Sequence, residues 1–149
     1  MKLLLFAVAF FVLSQVQAQP SGVAACAQCH GTEGQAKGVP PLAGQPRLYL
    51  VRQLDAYAEG RRHHEVMTPI AKGLTPQQRA QLAEYFAQLA VSAADAKAKS
   101  DEVPARGRML ATHGDNDLRV PACANCHGPS GVGREPNPYL AGLHAKYLA

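Results

Sequence analysis

The four cysteines of this 149-residue chain all lie in two short motifs with the same spacing. Each motif is Cys-x-x-Cys-His, and the two span residues 26–30 and 123–127. Two thiols one helical turn apart can bond the two vinyl groups of one porphyrin, and the histidine that follows can then bind its iron. We therefore expect two covalently bound haem c groups, each carrying iron. The expected attachment residues are Cys26, Cys29, Cys123 and Cys126, and the expected axial histidines are His30 and His127.

The alternatives for these cysteines are a structural zinc site, a redox-active dithiol and ordinary disulfides. A zinc site needs four converging ligands, and its cysteine pairs normally lie much closer in sequence than the 97 residues from Cys26 to Cys123. A thioredoxin-like dithiol needs a βαβ setting, which this chain rich in Ala, Leu and Gln does not indicate. Disulfides would give no reason for a histidine after both pairs. Haem attachment accounts for the whole motif.

The similarity between the two halves extends beyond the motifs. Residues Pro40–Gly44 read Pro-Pro-Leu-Ala-Gly, and residues Pro138–Gly142 read Pro-Tyr-Leu-Ala-Gly. Residues 49–50 and 147–148 are both Tyr-Leu, at an offset that has grown from 97 to 98 through one inserted residue. Solenoid repeats have periods of about 20–50 residues, so this longer repeat indicates a duplicated small domain.

The N-terminus has the pattern of a secretory signal peptide. Lys2 precedes an apolar run over residues 3–13, and a small-residue cleavage site ends at Ala18. We predict cleavage after Ala18 and a periplasmic location for the mature protein. The apolar run is shorter than the roughly 20 residues that a membrane-spanning helix needs, so we expect a peripheral association with the membrane at most.

The charge of the chain is weakly positive, with a formal net value of +4. Arg61-Arg62 is a short pair rather than a basic tract, and aromatic residues do not alternate with basic ones. We therefore exclude nucleic acid as a partner. The charge supports only a weak preference for acidic protein surfaces.

The helices that would hold the motifs can be located from periodicity and capping residues. Apolar residues follow helical spacing from Leu50 to Ala58, and this helix is predicted to end at Gly60. Thr75 is a predicted N-cap, followed by a proline at the first helical position and by Gln78, which completes a capping box. An apolar stripe at 3.6-residue spacing continues this second helix through Leu82, Tyr85, Phe86 and Leu89. The expected fold class is all-α.

The motifs resemble those of the class I cytochromes c, and in particular the bacterial dihaem proteins of the cytochrome c4 type. The resemblance covers nearly the whole mature chain and rests on Cys-x-x-Cys-His-Gly, Pro-x-Leu-Ala-Gly, Tyr-Leu-x-x-Gln-Leu at 49–54, Gly-Arg at 60–61 and Met67. It implies two tandem class I cytochrome c-like domains. It also implies that Met67 is the sixth ligand of the first iron, and that the carbonyl groups of Pro40 and Pro138 support the proximal histidines.

Met67 is the ligand expected on the far side of the first iron. It lies in a predicted polar loop between two helices, rather than on an apolar face where a core methionine would pack. Met/His axial pairs are used in cytochromes c and raise the reduction potential. His63 and His64 are the rival ligands, and either would give a bis-histidine haem of lower potential. As neighbours on a charged loop, both are expected at the surface.

The chain divides into a leader, two domains and a linker. We predict the signal peptide at residues 1–18, the first domain at 19–92, the linker at 93–101 and the second domain at 102–149. The linker lacks an apolar stripe and is rich in Ala, Lys, Asp and Ser. A domain as small as the first relies on its haem for much of its buried surface.

The second domain is predicted to be incomplete. The position that would match Met67 falls beyond the last residue of the sequence. Met109 is expected to pack in the core, His113 lies in a predicted Gly/Asp loop, and His144 aligns with a position of the first copy that is not a ligand. Two explanations stay open: truncation of the chain, which we favour, and an open or unusual coordination site on the second iron.

The expected function is electron transfer in a respiratory chain, with no catalytic residues assigned. The expected partners are redox proteins, namely a terminal oxidase or an upstream cytochrome or dehydrogenase, and the protein is expected to be a monomer. A carrier needs no open iron position, because electrons pass through the exposed haem edge. The alternatives are a peroxidase-like or small-ligand-binding dihaem enzyme with an open second haem, and a cytochrome subunit of a periplasmic dehydrogenase.

Overall fold

The chain folds into short helices joined by loops. The computed structural model describes residues 19–36, 38–91, 105–143 and 145–148. The all-α fold class predicted from the sequence is confirmed. The predicted signal peptide and the predicted linker at 93–101 lie outside the described residues, as do residues 92 and 102–104 at the predicted domain boundaries.

The helices follow one another along two units of the chain. They are α1 (Val23–His30), α2 (Arg47–Ala58), α3 (Met67–Lys72) and α4 (Pro76–Ala87) in the first unit, and α5 (Ala105–His113), α6 (Ala124–His127) and α7 (Ala145–Leu148) in the second. A short 3₁₀ turn at Pro129–Gly131 follows α6. Within the described ranges, no helix is long and apolar enough to cross a membrane.

The first Cys-x-x-Cys-His motif forms the second half of α1. Cys26 lies three residues before Cys29 and four before His30, a spacing that places the three side chains on one face of the helix. The next residue, Gly31, has a φ of 77°, which residues with a Cβ rarely adopt. The helix therefore ends directly after the histidine.

Helices α2 and α4 form the core of the first unit. The apolar stripes predicted for both helices are confirmed: Leu50 and Tyr57 on α2, and Leu82 and Phe86 on α4, are buried. Val23 of α1 packs into the same cluster. The haem-attachment helix is thus held against α4 by apolar contact.

The start of α4 is the capping box predicted from the sequence. Thr75 Oγ1 accepts a hydrogen bond from the Gln78 backbone N–H at 3.2 Å, and Gln78 Oε1 accepts one from the Thr75 backbone N–H at 2.8 Å. Two backbone donors at the helix start are satisfied in this way.

The segment that carries Met67 is helical, so the prediction of a polar loop there was wrong. Met67 is the first residue of α3, whose six residues are too few to give a periodic apolar pattern. Arg79 of α4 holds the end of this helix, because its guanidinium donates to Leu74 O at 2.6 Å and to Ala71 O at 3.3 Å. The same side chain pairs with Asp55 Oδ1 of α2 at 2.7 Å.

The loop that follows each motif closes in the same way in both units. Gly34 O accepts a hydrogen bond from Leu42 N at 2.8 Å, and in the second copy Gly131 O accepts one from Leu140 N, also at 2.8 Å. The two glycines have φ values of 67° and 71°. The internal repeat of the sequence is therefore also a repeat of backbone geometry.

Two sequence-based placements in the second unit were wrong. Met109 was expected in the core, but it is 48% exposed on α5, a helix with no buried residue. The Met109-Leu110 pair is too short to define a buried face among the arginines around it. His113 was expected in a loop, but it is the last residue of α5.

Candidate haem sites

A cavity of about 400 Å³ lies in the first unit. Its wall includes the whole attachment motif of α1 and apolar side chains of α2 and α4, among them Leu50, Leu54, Leu82 and Phe86. Met67 of α3 also lines it. Pockets for cofactors commonly measure about 300–1,000 Å³ and have apolar walls with few polar groups. The structure therefore brings both sequence-predicted axial ligands, His30 and Met67, to one cavity of suitable size.

His30 is oriented by a carbonyl group on the proximal side. Its Nδ1–H donates to Pro40 O at 2.9 Å, which leaves Nε2 unprotonated and free to bind a metal. His30 is only 7% exposed. Burial lowers the pKa of His30, against a smaller opposing effect of the Pro40 hydrogen bond, and so favours the neutral imidazole that can ligate iron.

The four thiols are unpaired, as covalent haem attachment requires. Cys26 and Cys29, on the cavity wall, form no disulfide, and neither do Cys123 and Cys126. Burial raises the pKa of Cys26. Among the residues that the structure describes, His, Cys, Asp and Glu side chains do not converge in threes, so the two cysteine pairs do not build the shared zinc site considered above.

His64 lines the cavity beside Met67, but its ring is engaged with the backbone of α3. His64 Nδ1 accepts hydrogen bonds from the N–H groups of Val66 and Met67 at 3.2 and 3.3 Å. Because Nδ1 accepts these hydrogen bonds, that nitrogen is not available to bind a metal. His63 is exposed and does not line the cavity. This arrangement favours Met67 over either histidine as the ligand.

A polar cluster on the cavity wall was missed by sequence reasoning. Arg62 donates to Gln53 Oε1 at 2.6 Å, and its guanidinium carbon lies 4.8 Å from the centre of the Tyr57 ring. Tyr147 of α7, in the second unit, lines the same cavity. Burial and a hydrogen bond to Tyr147 raise the pKa of Tyr49 to about 12. The half-buried guanidinium of Arg62 and the tyrosine hydroxyl groups are hydrogen-bond donors that would suit the carboxylates of a bound haem.

The sequence contained only indirect evidence for this polar cluster. The Gly-Arg pair at 60–61 contributes Arg61, whose guanidinium pairs with Glu59 at the surface, whereas the next residue, Arg62, faces the cavity. Tyr147 repeats Tyr49 in the second copy. The repeat indicates that the two tyrosines occupy equivalent positions in the two copies. Only the folded structure shows that they contact each other.

The second motif repeats the proximal geometry of the first. His127 Nδ1–H donates to Pro138 O at 2.8 Å. Asn137 Nδ2 donates to Cys126 O at 3.1 Å and ties the loop to the motif. His113, at the end of α5, has its Nδ1 2.7 Å from Thr112 Oγ1. His144 lies outside the described residues.

Comparison with known proteins places this geometry in a family. The family model described as Cytochrome c matches residues 21–90. The chain is 37% identical over 136 residues to cytochrome c4 of Thiocapsa roseopersicina, an alignment that covers 88% of this chain and 68% of that protein. The chain belongs to the cytochrome c family. The resemblance to cytochrome c4 seen in the sequence motifs is confirmed.

Two further comparisons cover most of the chain. It is 41% identical over 135 residues to a protein of Thiomonas intermedia named thiosulfate dehydrogenase electron acceptor, with 88% of this chain and 62% of that protein aligned. The crystal structure of reduced recombinant cytochrome c4 from Pseudomonas stutzeri matches with a TM-score of 0.70 and 32% identity, covering 87% of this chain and 73% of that one. The chain thus spans less than two thirds of the length of the Thiomonas protein.

Two covalently bound haem c groups are the cofactors of this cytochrome, as the paired motifs and the family together indicate. The residues present fit the group. Each motif offers two free thiols and an imidazole whose Nδ1–H is already bonded to a proline carbonyl. Bound there, haem supplies one-electron redox chemistry.

Proposed function

We propose that this protein is a dihaem electron carrier in which His30 and Met67 are the axial ligands of the first haem iron and His127 is a ligand of the second. Cys26, Cys29, Cys123 and Cys126 are the attachment residues. The observation that carries the proposal is that His30, oriented by Pro40, and Met67 lie on the wall of one cavity. A Met/His pair fills both axial positions of the first iron and leaves none there for a substrate. The similarity to cytochrome c4 supports a carrier for the protein as a whole.

The protein's own residues set the properties of the carrier. Pro40 and Pro138 fix the planes and tautomers of the proximal histidines. Arg62 supplies a positive charge beside the first haem. Val66 and Ile70 line the cavity and are 50% and 41% exposed, so they offer an apolar contact for a transient redox partner next to the cofactor.

The partners we propose are redox proteins of the periplasm, reached after cleavage of the leader at Ala18. A relative named as the electron acceptor of thiosulfate dehydrogenase supports a periplasmic dehydrogenase as the donor. A terminal oxidase is the proposed acceptor. Weak positive charge on the chain suits brief contact with acidic partner surfaces.

The test begins with export of the chain in a host that has haem-attachment machinery. Intact mass gives the number of haems, and absorption spectra of the oxidised and reduced protein identify the ligands. We expect two haems, a methionine-ligated ferric spectrum from the first, and rapid reduction by a thiosulfate dehydrogenase supplied with thiosulfate. A haem-free mass would overturn the proposal. Carbon monoxide binding to the reduced first haem under native conditions would overturn the assignment of Met67.

A further inference from the structure

One tyrosine of the second unit makes two buried hydrogen bonds to the first unit. The Tyr139 hydroxyl donates to Ala43 O at 3.1 Å, and the Tyr139 backbone N–H donates to Gln45 Oε1 at 3.2 Å. Tyr139, Gln45 and Ala43 are 7%, 3% and 0% exposed. Buried polar groups are costly when they lose their partners, so these bonds fix how the two units meet. We name these three residues the clasp.

The clasp connects the two loops that hold the proximal histidines. Pro138, whose carbonyl accepts from His127, is the residue directly before Tyr139. Pro40, whose carbonyl accepts from His30, is three residues before Ala43. Gln45 of the clasp also lines the first cavity. A continuous run of short backbone segments and hydrogen bonds therefore joins one proximal histidine to the other.

The two copies differ at the positions that form the clasp. Pro41 stands where the second copy has Tyr139, and Leu143 stands where the first copy has Gln45. Proline has neither a backbone N–H nor a hydroxyl, and leucine has no side-chain acceptor, so the reverse pair cannot make these bonds. The Leu-Ala-Gly sequence between them is the same in both copies. The clasp is therefore specific to this pair and does not come from the repeated fold.

Another contact between the units lies nearby but is exposed. Glu135 Oε1 accepts a hydrogen bond from the Leu48 backbone N–H at 2.7 Å. Neither residue donates to or accepts from a proline carbonyl that holds a histidine. Glu135 lies in the same loop of the second unit as Pro138, but its bond reaches the start of α2 and not the loop that contains Pro40. Its removal therefore tests the attachment of the two units with the clasp intact.

We propose that Tyr139 is a positioning residue that couples the two haems by tying the proximal loop of the second unit to that of the first. The coupling rests on the proposed dihaem function. With haem bound, a change of charge at one iron would alter the hydrogen bond between its histidine and its proline, and the clasp would pass that change to the other loop. The potential of each haem would then depend on the state of the other.

The test compares holoprotein variants Tyr139→Phe and Gln45→Leu with the controls Glu135→Ala and Tyr85→Phe. Tyr85 bears an ordinary hydroxyl, bonded to Gln19 in the first unit. The readouts are the two haem potentials and the hyperfine-shifted proton resonances of each ferric haem. We expect Tyr139→Phe to move resonances of the first haem, although the residue belongs to the second unit. It should also change the equilibrium distribution of one electron between the haems by at least about fivefold.

The two control variants separate coupling through the clasp from a general effect of substitution. Both control variants should leave the first-haem resonances in place. If Tyr139→Phe moves only second-haem signals, or if Glu135→Ala moves first-haem signals equally, the coupling proposal fails. Should Tyr139→Phe fail to fold, Gln45→Leu removes one bond of the clasp with the tyrosine ring kept. Because Gln45 lines the first cavity, the signals that test coupling in this variant are those of the second haem, and unchanged second-haem signals would contradict the proposal. Unchanged haem content and reduction by the donor would show that the carrier function stands even if the clasp does not couple the haems.

Discussion

At the scale of single residues, the two haem sites share one device, a proline carbonyl that holds the proximal histidine. The distances, 2.9 Å at His30 and 2.8 Å at His127, are nearly equal although the loops differ by one inserted residue. A histidine whose Nδ1–H is bonded in this way keeps one tautomer and one ring orientation. The proximal side of the two sites is therefore built alike.

Replacing Met67 tests the sixth ligand of the first haem. Met67→Leu keeps the size of the side chain but removes the sulfur, so we expect loss of the ferric sulfur-to-iron charge-transfer band. The first reduction potential should fall by on the order of 0.1 V, a modest part of the roughly 0.8 V that axial ligands span. Absorption spectra and a redox titration measure both effects.

Met109→Leu is the matched control for that substitution. Met109 is half exposed on α5, so its replacement should leave the band and both potentials as they are. A Met67→Leu protein that retained the band would show that another side chain ligates the iron.

At the scale of elements, the position of Met67 depends on how α3 is held. Arg79 joins three elements, because it bonds the carbonyl groups at the end of α3 and the carboxylate of Asp55 on α2. Its side chain is 11% exposed. Charge-assisted hydrogen bonds in such a place contribute more than surface pairs do.

We expect Arg79→Gln to lower the free energy of unfolding by about 2–3 kcal/mol, because the Asp55 carboxylate and the carbonyl groups of Ala71 and Leu74 lose a charged donor. It should also weaken the charge-transfer band, since α3 is no longer fixed. Arg47→Gln is the control: Arg47 pairs with Glu84 at 3.3 Å, with both side chains about half exposed. An exposed pair contributes at most about 1 kcal/mol. Equal losses in the two variants, measured by denaturant titration, would contradict the role of Arg79.

The capping box at the start of α4 can be tested separately. Thr75→Ala removes the acceptor for the Gln78 N–H, and we expect a loss of about 1 kcal/mol in the free energy of unfolding. Thr112→Ala is the control, because its hydroxyl bonds Arg108 O on an exposed helix face. Thermal unfolding of both variants gives the comparison. A loss no larger than that of the control would mean that the box contributes nothing.

Sequence reasoning succeeded for the helices that are long and regular and failed for the short ones. Helices α2 and α4 span three turns each, so their apolar stripes and the Thr75 cap were sufficient to locate them. Helix α3 has only six residues, and α5 has no buried residue. Neither helix therefore shows an apolar pattern from which its packing could be predicted. The attachment motifs were predictable because their chemistry is local. Arg62 and the clasp were not, because they depend on residues that meet only in the folded chain.

At the scale of the whole molecule, the cofactor completes the core. The cavity of the first unit has a mostly apolar wall, and a haem bound there would remove that surface from water. A domain this small buries little apolar surface of its own. We therefore expect the first unit to depend on its haem for much of its stability.

We expect the double variant Cys26→Ser with Cys29→Ser to lose most of the helical signal of the first unit and to unfold at a lower temperature. Circular dichroism measures the helicity, and denaturing mass spectrometry measures the covalent haem. The matched control is Cys123→Ser with Cys126→Ser, which should leave α1 to α4 folded and the methionine-ligated spectrum intact. Full helicity in the first double variant would contradict the dependence of the fold on haem.

The packing of α1 against α4 has a consequence for the timing of haem attachment. The attachment cysteines lie at positions 26 and 29, whereas Leu82 and Phe86, which line the same cavity, follow more than fifty residues later. If the leader predicted at residues 1–18 directs export of an unfolded chain, the thiols emerge before α4 is available to bury them. We then expect the haem-joining enzymes to meet an open site.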